Sequence, residues 1–117
     1  LPFAVIEDIP LFPGCETVPK AKRLDCFNEQ MAKHIKKNFT YPSKAAESNI
    51  QGRVSVQFVI DKQGNVTDIQ MRGPAGGELL EKEAQRIISK LPKFTPGKQR
   101  GKPVKVKYGL PINFKLQ

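Results

Sequence analysis

The sequence predicts an α+β fold in two layers. A three-stranded antiparallel sheet, in the order second, first, third, carries helices packed on one face, with an N-terminal arm or extra strand beside it. Three patterns predict this. Val54, Val56, Phe58 and Ile60 alternate with Arg53, Ser55, Gln57 and Asp61, ahead of a turn at Asp61–Asn65 and a second run from Val66 to Arg72; this is a hairpin pattern. Leu79, Leu80, Ala84, Ile87, Ile88 and Leu91 form one helical stripe opposite Glu81, Lys82, Gln85 and Lys90. Val104, Val106, Tyr108, Leu110, Ile112, Phe114 and Leu116 occupy seven successive even positions, the period of a strand with one buried and one wet face.

In chain order, residues 1–22 read as an extended arm. Phe3–Glu7 is a short apolar run able to form a strand, and the prolines of Ile9–Gly14 bar a central strand or a helix interior. The following 23–117 form the folded domain. Phe27, Met31, Ile35 and Phe39 recur every fourth residue, predicting a helix over Leu24–Phe39 with Lys33, Lys36 and Lys37 toward its C-terminal end. Tyr41-Pro42 ends it, and Pro42 suits the start of a short helix at Ser43–Ser48. After the hairpin and the loop Gly73–Gly77, a helix over Glu78–Leu91 stops at Pro92. It returns the chain so that the last strand runs antiparallel to the first and pairs with it. Pro111 independently requires that last strand to be an edge or to break.

The chain has 117 residues, one domain in size, with 20 Lys and Arg against 11 Asp and Glu and a formal charge of +9. Most of the positive charge is Lys, which often serves only as a solvated surface. The charge also suits an acidic protein partner, a membrane surface or nucleic acid. A nucleic-acid interface is disfavoured, because the aromatics fall on apolar-face positions or in turns rather than as an exposed stacking pair. No apolar run approaches the roughly 20 residues of a membrane span, and no secretory leader opens the chain. It begins at Leu1, as expected of a segment excised from a longer protein.

Cys15 and Cys26 are the two cysteines. Their spacing is neither a redox C-x-x-C nor half of a zinc set, so no metal site is expected. A disulfide closing this loop, worth about 3 kcal/mol, is favoured over two free thiols and implies an oxidising compartment. No catalytic constellation is legible. His34 sits among lysines as a surface histidine, Glu78, Glu81 and Glu83 line the early turns of a helix, and the glycine loop lacks the Lys and hydroxyl of a phosphate-binding loop. Neither an enzyme nor a cofactor is expected. What remains is binding. Lys105, Lys107, Lys115 and Pro111 either protect an exposed edge or flank one that accepts a partner strand, and a free edge also permits a strand-paired homodimer.

Several motifs in register resemble one family. Tyr41-Pro-x-x-Ala45, Ile50-Gln-Gly-x-Val-x-Val-x-Phe58, Ile60-Asp-x-x-Gly-x-Val66, Leu80-Glu-x-Glu-Ala84, Phe94-x-Pro-Gly-Lys98 and Val104-x-Val-x-Tyr108 are together similar to the C-terminal domain of TonB, over about Tyr41–Leu116. Phe12-Pro-Gly-Cys15 with Cys26 resembles a subgroup with an N-terminal strand and a cysteine pair.

The resemblance implies the periplasmic domain of an inner-membrane-anchored energy transducer of a Gram-negative bacterium. In that family the ExbB–ExbD complex drives the membrane part. The C-terminal domain takes the TonB box of an outer-membrane TonB-dependent transporter as an added strand beside its last strand. Carried over by position, the receptor-binding residues are Asn38, Phe39, Thr40, Tyr41 and Pro42, together with Val104, Lys105, Val106, Lys107, Tyr108, Gly109, Leu110 and Pro111. Asn38 stands where the family often has glutamine. The arm, if it lay on the last strand's edge, would mimic the box. A TonB-like interaction domain attached to a membrane sensor or peptidase is the alternative within the family.

Overall fold

The computed structural model describes residues 1–117. Helix α1, Arg23–Asn38, buries Phe27 and Met31 and places Lys36 and Lys37 in its last turn, where they favour the helix dipole. Pro42 precedes the short α2, Ser43–Glu47. Strand β1, Gly52–Ile60, pairs antiparallel with β2, Val66–Arg72. Helix α3, Glu78–Ser89, leads to a small ladder of β3, Lys98–Gln99, and β4, Lys102–Pro103. The last strand, β5, Val106–Phe114, pairs antiparallel with β1 from Ile60↔Val106 to Gly52↔Phe114. The sheet order is therefore β2-β1-β5, as the alternation and loop lengths predict.

The odd–even pattern of β5 decides which face is covered. Val106, Ile112 and Phe114 are buried, and Lys107, Gly109, Pro111 and Asn113 are exposed. Beneath the sheet, Phe27, Phe58, Leu80, Ile87 and Ile88 are fully buried; burying such side chains contributes about 1.5–3 kcal/mol each. The hairpin turn is fixed by Asp61, whose carboxylate accepts the N–H groups of Gln63 and Asn65. Gly64 in that turn has φ +88, and a Cβ there would lie 1.8 Å from the Phe94 carbonyl, so no other residue fits.

Four local expectations change. Phe3–Val5 forms a single 3-10 turn instead of a strand. The arm makes only isolated bridges, Pro2 with Lys107, Asp8 with Lys98 and Leu11 with Thr95, because its prolines interrupt any continuous ladder. Yet Leu11, Phe12 and Cys15 belong to the main core. Cys15 and Cys26 form a disulfide with Cα atoms 6.0 Å apart, fastening the arm to α1.

His34 is half-buried rather than solvated, with Nε2 2.8 Å from the carbonyl of Ile87 at the end of α3. Leu79 is exposed, while Glu83, three residues along from Leu80, is buried. The apolar stripe of α3 is thus interrupted by a charged side chain with partners of its own. Finally, Val104 and Lys105 precede β5, with the Val104 N–H bonded back to the Gly97 carbonyl.

Candidate functional site

β5 is the edge of the sheet, and its backbone polarity follows from one hydrogen bond. The Lys107 N–H donates to the Leu1 carbonyl at 2.8 Å, so Lys107 turns its backbone groups away from β1. In an antiparallel pair this alternates strictly along the strand. With no register shift between β1 and β5, Gly109, Pro111 and Asn113 also face outward, whereas Val106, Tyr108, Leu110 and Ile112 bond to β1. Pro111 therefore lacks an N–H only on the outside, and costs the ladder nothing.

The arm occupies one end of this edge. The Leu1 amino group donates to the Lys105 carbonyl at 2.8 Å, and Pro2 bridges Lys107 in parallel orientation. Phe3 anchors the contact, its ring 4.7 Å from Phe27 and 4.8 Å from Tyr108. Tyr108 also stacks near Phe58, and burial raises the pKa of its hydroxyl above the ordinary tyrosine range. Beyond Lys107 the edge is open. Gly109 and Asn113 offer N–H and C=O groups, and Pro111 offers a carbonyl.

Asn38–Pro42 lies at the other end of β5. Phe39 and Tyr41 pack on Phe114 with ring centroids 5.1 and 5.8 Å away. The Tyr41 hydroxyl donates to the Ile50 carbonyl, and Pro42 caps α2. Asn38 donates to the His34 carbonyl at 2.8 Å. Two residues of α3 hold this stretch. The buried carboxylate of Glu83 accepts the Thr40 N–H at 2.8 Å and pairs with Arg86 at 2.7 and 2.8 Å, and the Arg86 guanidinium also donates to the Asn38 carbonyl. Burial raises the Glu83 pKa, but the Arg86 and Thr40 hydrogen bonds and the charges of Arg86 and Lys90 outweigh it, leaving it below the ordinary value. Its carboxylate in turn holds Arg86 above the usual guanidinium range.

The residues carried over from the resemblance thus fall into three groups. Phe39 and Tyr41 bring the Asn38–Pro42 stretch against Phe114 at one end of β5, and Lys105, Lys107 and Tyr108 meet the arm at the other, with Val104 and Val106 interleaved in sequence. Gly109, Leu110 and Pro111 lie between, on the open edge. The side chains of Val106 and Tyr108 face the core, so this edge offers its backbone more than its side chains. Glu83, which the sequence places only as a carboxylate in an early helix turn, and Arg86 and Asn113, which it does not single out, complete the surroundings. The signal that finds the pair is the i, i+3 spacing of Glu83 and Arg86 on one helix.

Residues 37–116 match the model of the Gram-negative bacterial TonB protein C-terminal family. The chain belongs to that family. Among curated TonB proteins, that of Vibrio cholerae is 35% identical over 77 residues, covering 66% of this chain and 31% of the relative. That of Yersinia enterocolitica is 31% identical over 51 residues, covering 44% and 20%. The chain thus spans less than a third of the TonB proteins it matches. An NMR solution structure of the Helicobacter pylori TonB C-terminal domain matches with a TM-score of 0.57 at 23% identity, covering 90% of this chain and 87% of that one, and shares the TonB C-terminal fold. No helix here is long and apolar enough to cross a membrane.

Proposed function

We propose that this chain is the periplasmic, transporter-reading end of a TonB-type energy transducer. It takes the TonB box of an outer-membrane transporter as a strand added to β5, and passes on force that the remainder of the protein receives from an ExbB–ExbD complex in the inner membrane. It works by binding, not by catalysis. The observation that carries this reading is the backbone of β5: outward amide groups at Gly109 and Asn113, beside a β1 pairing with no shift. An extended peptide satisfies such groups with main-chain hydrogen bonds, each worth about 0.5–1.5 kcal/mol net.

Family membership supplies the partner class, and the disulfide suits an oxidising compartment such as the periplasm. The arm supports the geometry by example. Leu1 and Pro2 already lie on this edge as a short parallel segment, so the edge accepts extended chain. The open segment then runs from Gly109 to Asn113, with Asn38–Pro42 flanking its far end.

The test is a fluorescence titration with a TonB-box peptide and the same peptide N-methylated at alternate backbone amides. Saturable 1:1 binding by the first, abolished in one of the two N-methylated registers, supports strand addition. Equal binding by both N-methylated registers, or no binding by the parent peptide, contradicts it.

A further inference from the structure

The face of the sheet turned away from the helices carries a shallow groove of about 640 Å³ running across all three strands. Its floor is low because Ser55 of β1 and Gly109 and Pro111 of β5 are small. Its walls are Arg53, Arg72 opposite Ser55, and, one pair further along on this face, Gln57 opposite Gln70. No carboxylate lines it. The molecule's three ion pairs are Lys20–Asp8, Lys33–Glu29 and Arg86–Glu83, so neither Arg53 nor Arg72 is neutralised.

Arg53 is also aimed. Its Nε donates to the Asn113 side-chain carbonyl at 3.2 Å. This draws the guanidinium from β1 across β5, toward the edge where Asn113 presents its outward backbone groups. The two terminal nitrogens of the guanidinium have no protein acceptor, a planar fork suited to a carboxylate. A strand added beyond β5 would lie about 4.8 Å from it and place alternate side chains on this same face. From there a side chain of Glu or Asp length can meet an arginine that already leans over Asn113.

We propose that the outer sheet face, with Arg53 as its anchor and Arg72 as the second charge of the groove, reads a carboxylate side chain on the extended segment that adds to β5. The occupant is an acidic extended peptide. Nucleic acid is disfavoured because this face presents no aromatic ring for a base to stack on, while the adjoining edge presents backbone groups that only another strand satisfies. The proposal rests on strand addition and adds to it a rule of sequence selection. Backbone hydrogen bonds hold any extended segment, and Arg53 discriminates among them.

The test uses a set of ten-residue TonB-box peptides in which a single Glu, or the isosteric Gln, is moved along the positions. Each peptide is titrated against the wild-type chain and against Arg53→Gln and Arg72→Gln, with equal denaturation midpoints confirming that the exposed substitutions leave the fold intact. At one position Glu should bind about three- to fivefold tighter than Gln, the scale of an exposed charge pair. Arg53→Gln should erase that preference while leaving the Gln peptide's affinity unchanged, and added salt should reduce it. A flat scan, or an Arg53→Gln variant that weakens Glu and Gln peptides alike, overturns the selection rule while leaving strand addition standing. If no peptide of either kind binds, strand addition fails and the rule fails with it. Displacement of a bound peptide by a single-stranded oligonucleotide, lost in Arg53→Gln, would assign the face to polyanions and also overturn the proposal.

Discussion

Pro111 stands opposite Ser55 in a pair whose backbone groups point away from one another, so the residue without an N–H faces the open side of the sheet. The β1–β5 ladder is intact, yet the edge is one donor short at its centre. An incoming strand can donate to the Pro111 carbonyl but has nothing to accept there.

Pro111→Ala should therefore leave the unfolding free energy within about 1 kcal/mol of wild type, because no native hydrogen bond is gained or lost. It should instead restore an edge donor and promote edge-to-edge pairing, read as a mass that rises with concentration in sedimentation experiments. A large loss of stability with no change in association would show that Pro111 serves the ladder rather than the edge.

The arm's hold on β5 depends on Phe3. Phe3→Ala removes the ring contacts to Phe27 and Tyr108 while leaving the core disulfide in place. The Lys107 amide should then exchange with solvent at least about tenfold faster, because its acceptor, the Leu1 carbonyl, is no longer held in place; exchange at Leu110, bonded to β1, should not change. Unchanged exchange at Lys107 would mean that the arm is held by other contacts.

The Glu83 carboxylate fastens the Asn38–Pro42 stretch to α3, and its lowered pKa fixes the sign of a pH effect. A carboxyl group with a folded pKa below the ordinary value of 4.5 contributes stability that is fully present above that value and lost as pH falls through the folded pKa. Glu83→Ala should cost about 2 kcal/mol at neutral pH, as for a charged hydrogen-bond acceptor. The gap between wild type and variant should hold steady from pH 6 to 8 and narrow below about 4.5. A gap that widens in acid would contradict the assignment, and denaturant unfolding at several pH values measures it.

Reduction of Cys15–Cys26 should destabilise the chain by about 3 kcal/mol, the loop-closure value for a bridge spanning 11 positions. The first amides to lose protection should be those of Leu11 and Thr95, which bond one another across the arm. Melting curves with and without reductant, followed by amide exchange, separate this from global loosening.

Sheet order, the hairpin and the edge position of β5 were legible because period-two alternation and a single proline each leave a local trace; the shift in the hairpin register between Gln57 and Val59 was not. Helix boundaries fell within two residues, since Pro42 and Pro92 punctuate them. The arm was not legible as core. Its prolines argued correctly against a strand, but nothing local to Leu11 and Phe12 says that both join the core or that Phe12 packs against Phe27 and Phe94. Nor did the spacing around His34 and Glu83 reveal partners 53 and 43 positions away. The backbone polarity of β5 needed the pairing itself, because which carbonyls face outward is a matter of register and not of composition.

The most direct measurement is amide hydrogen exchange along β5 with and without a saturating TonB-box peptide. Gly109 and Asn113, whose N–H groups face the open edge, should become strongly protected, while Leu110 and Ile112, already bonded to β1, should change little. Protection that appears equally at odd and even positions, or only on α1 and α3, would contradict strand addition at this edge.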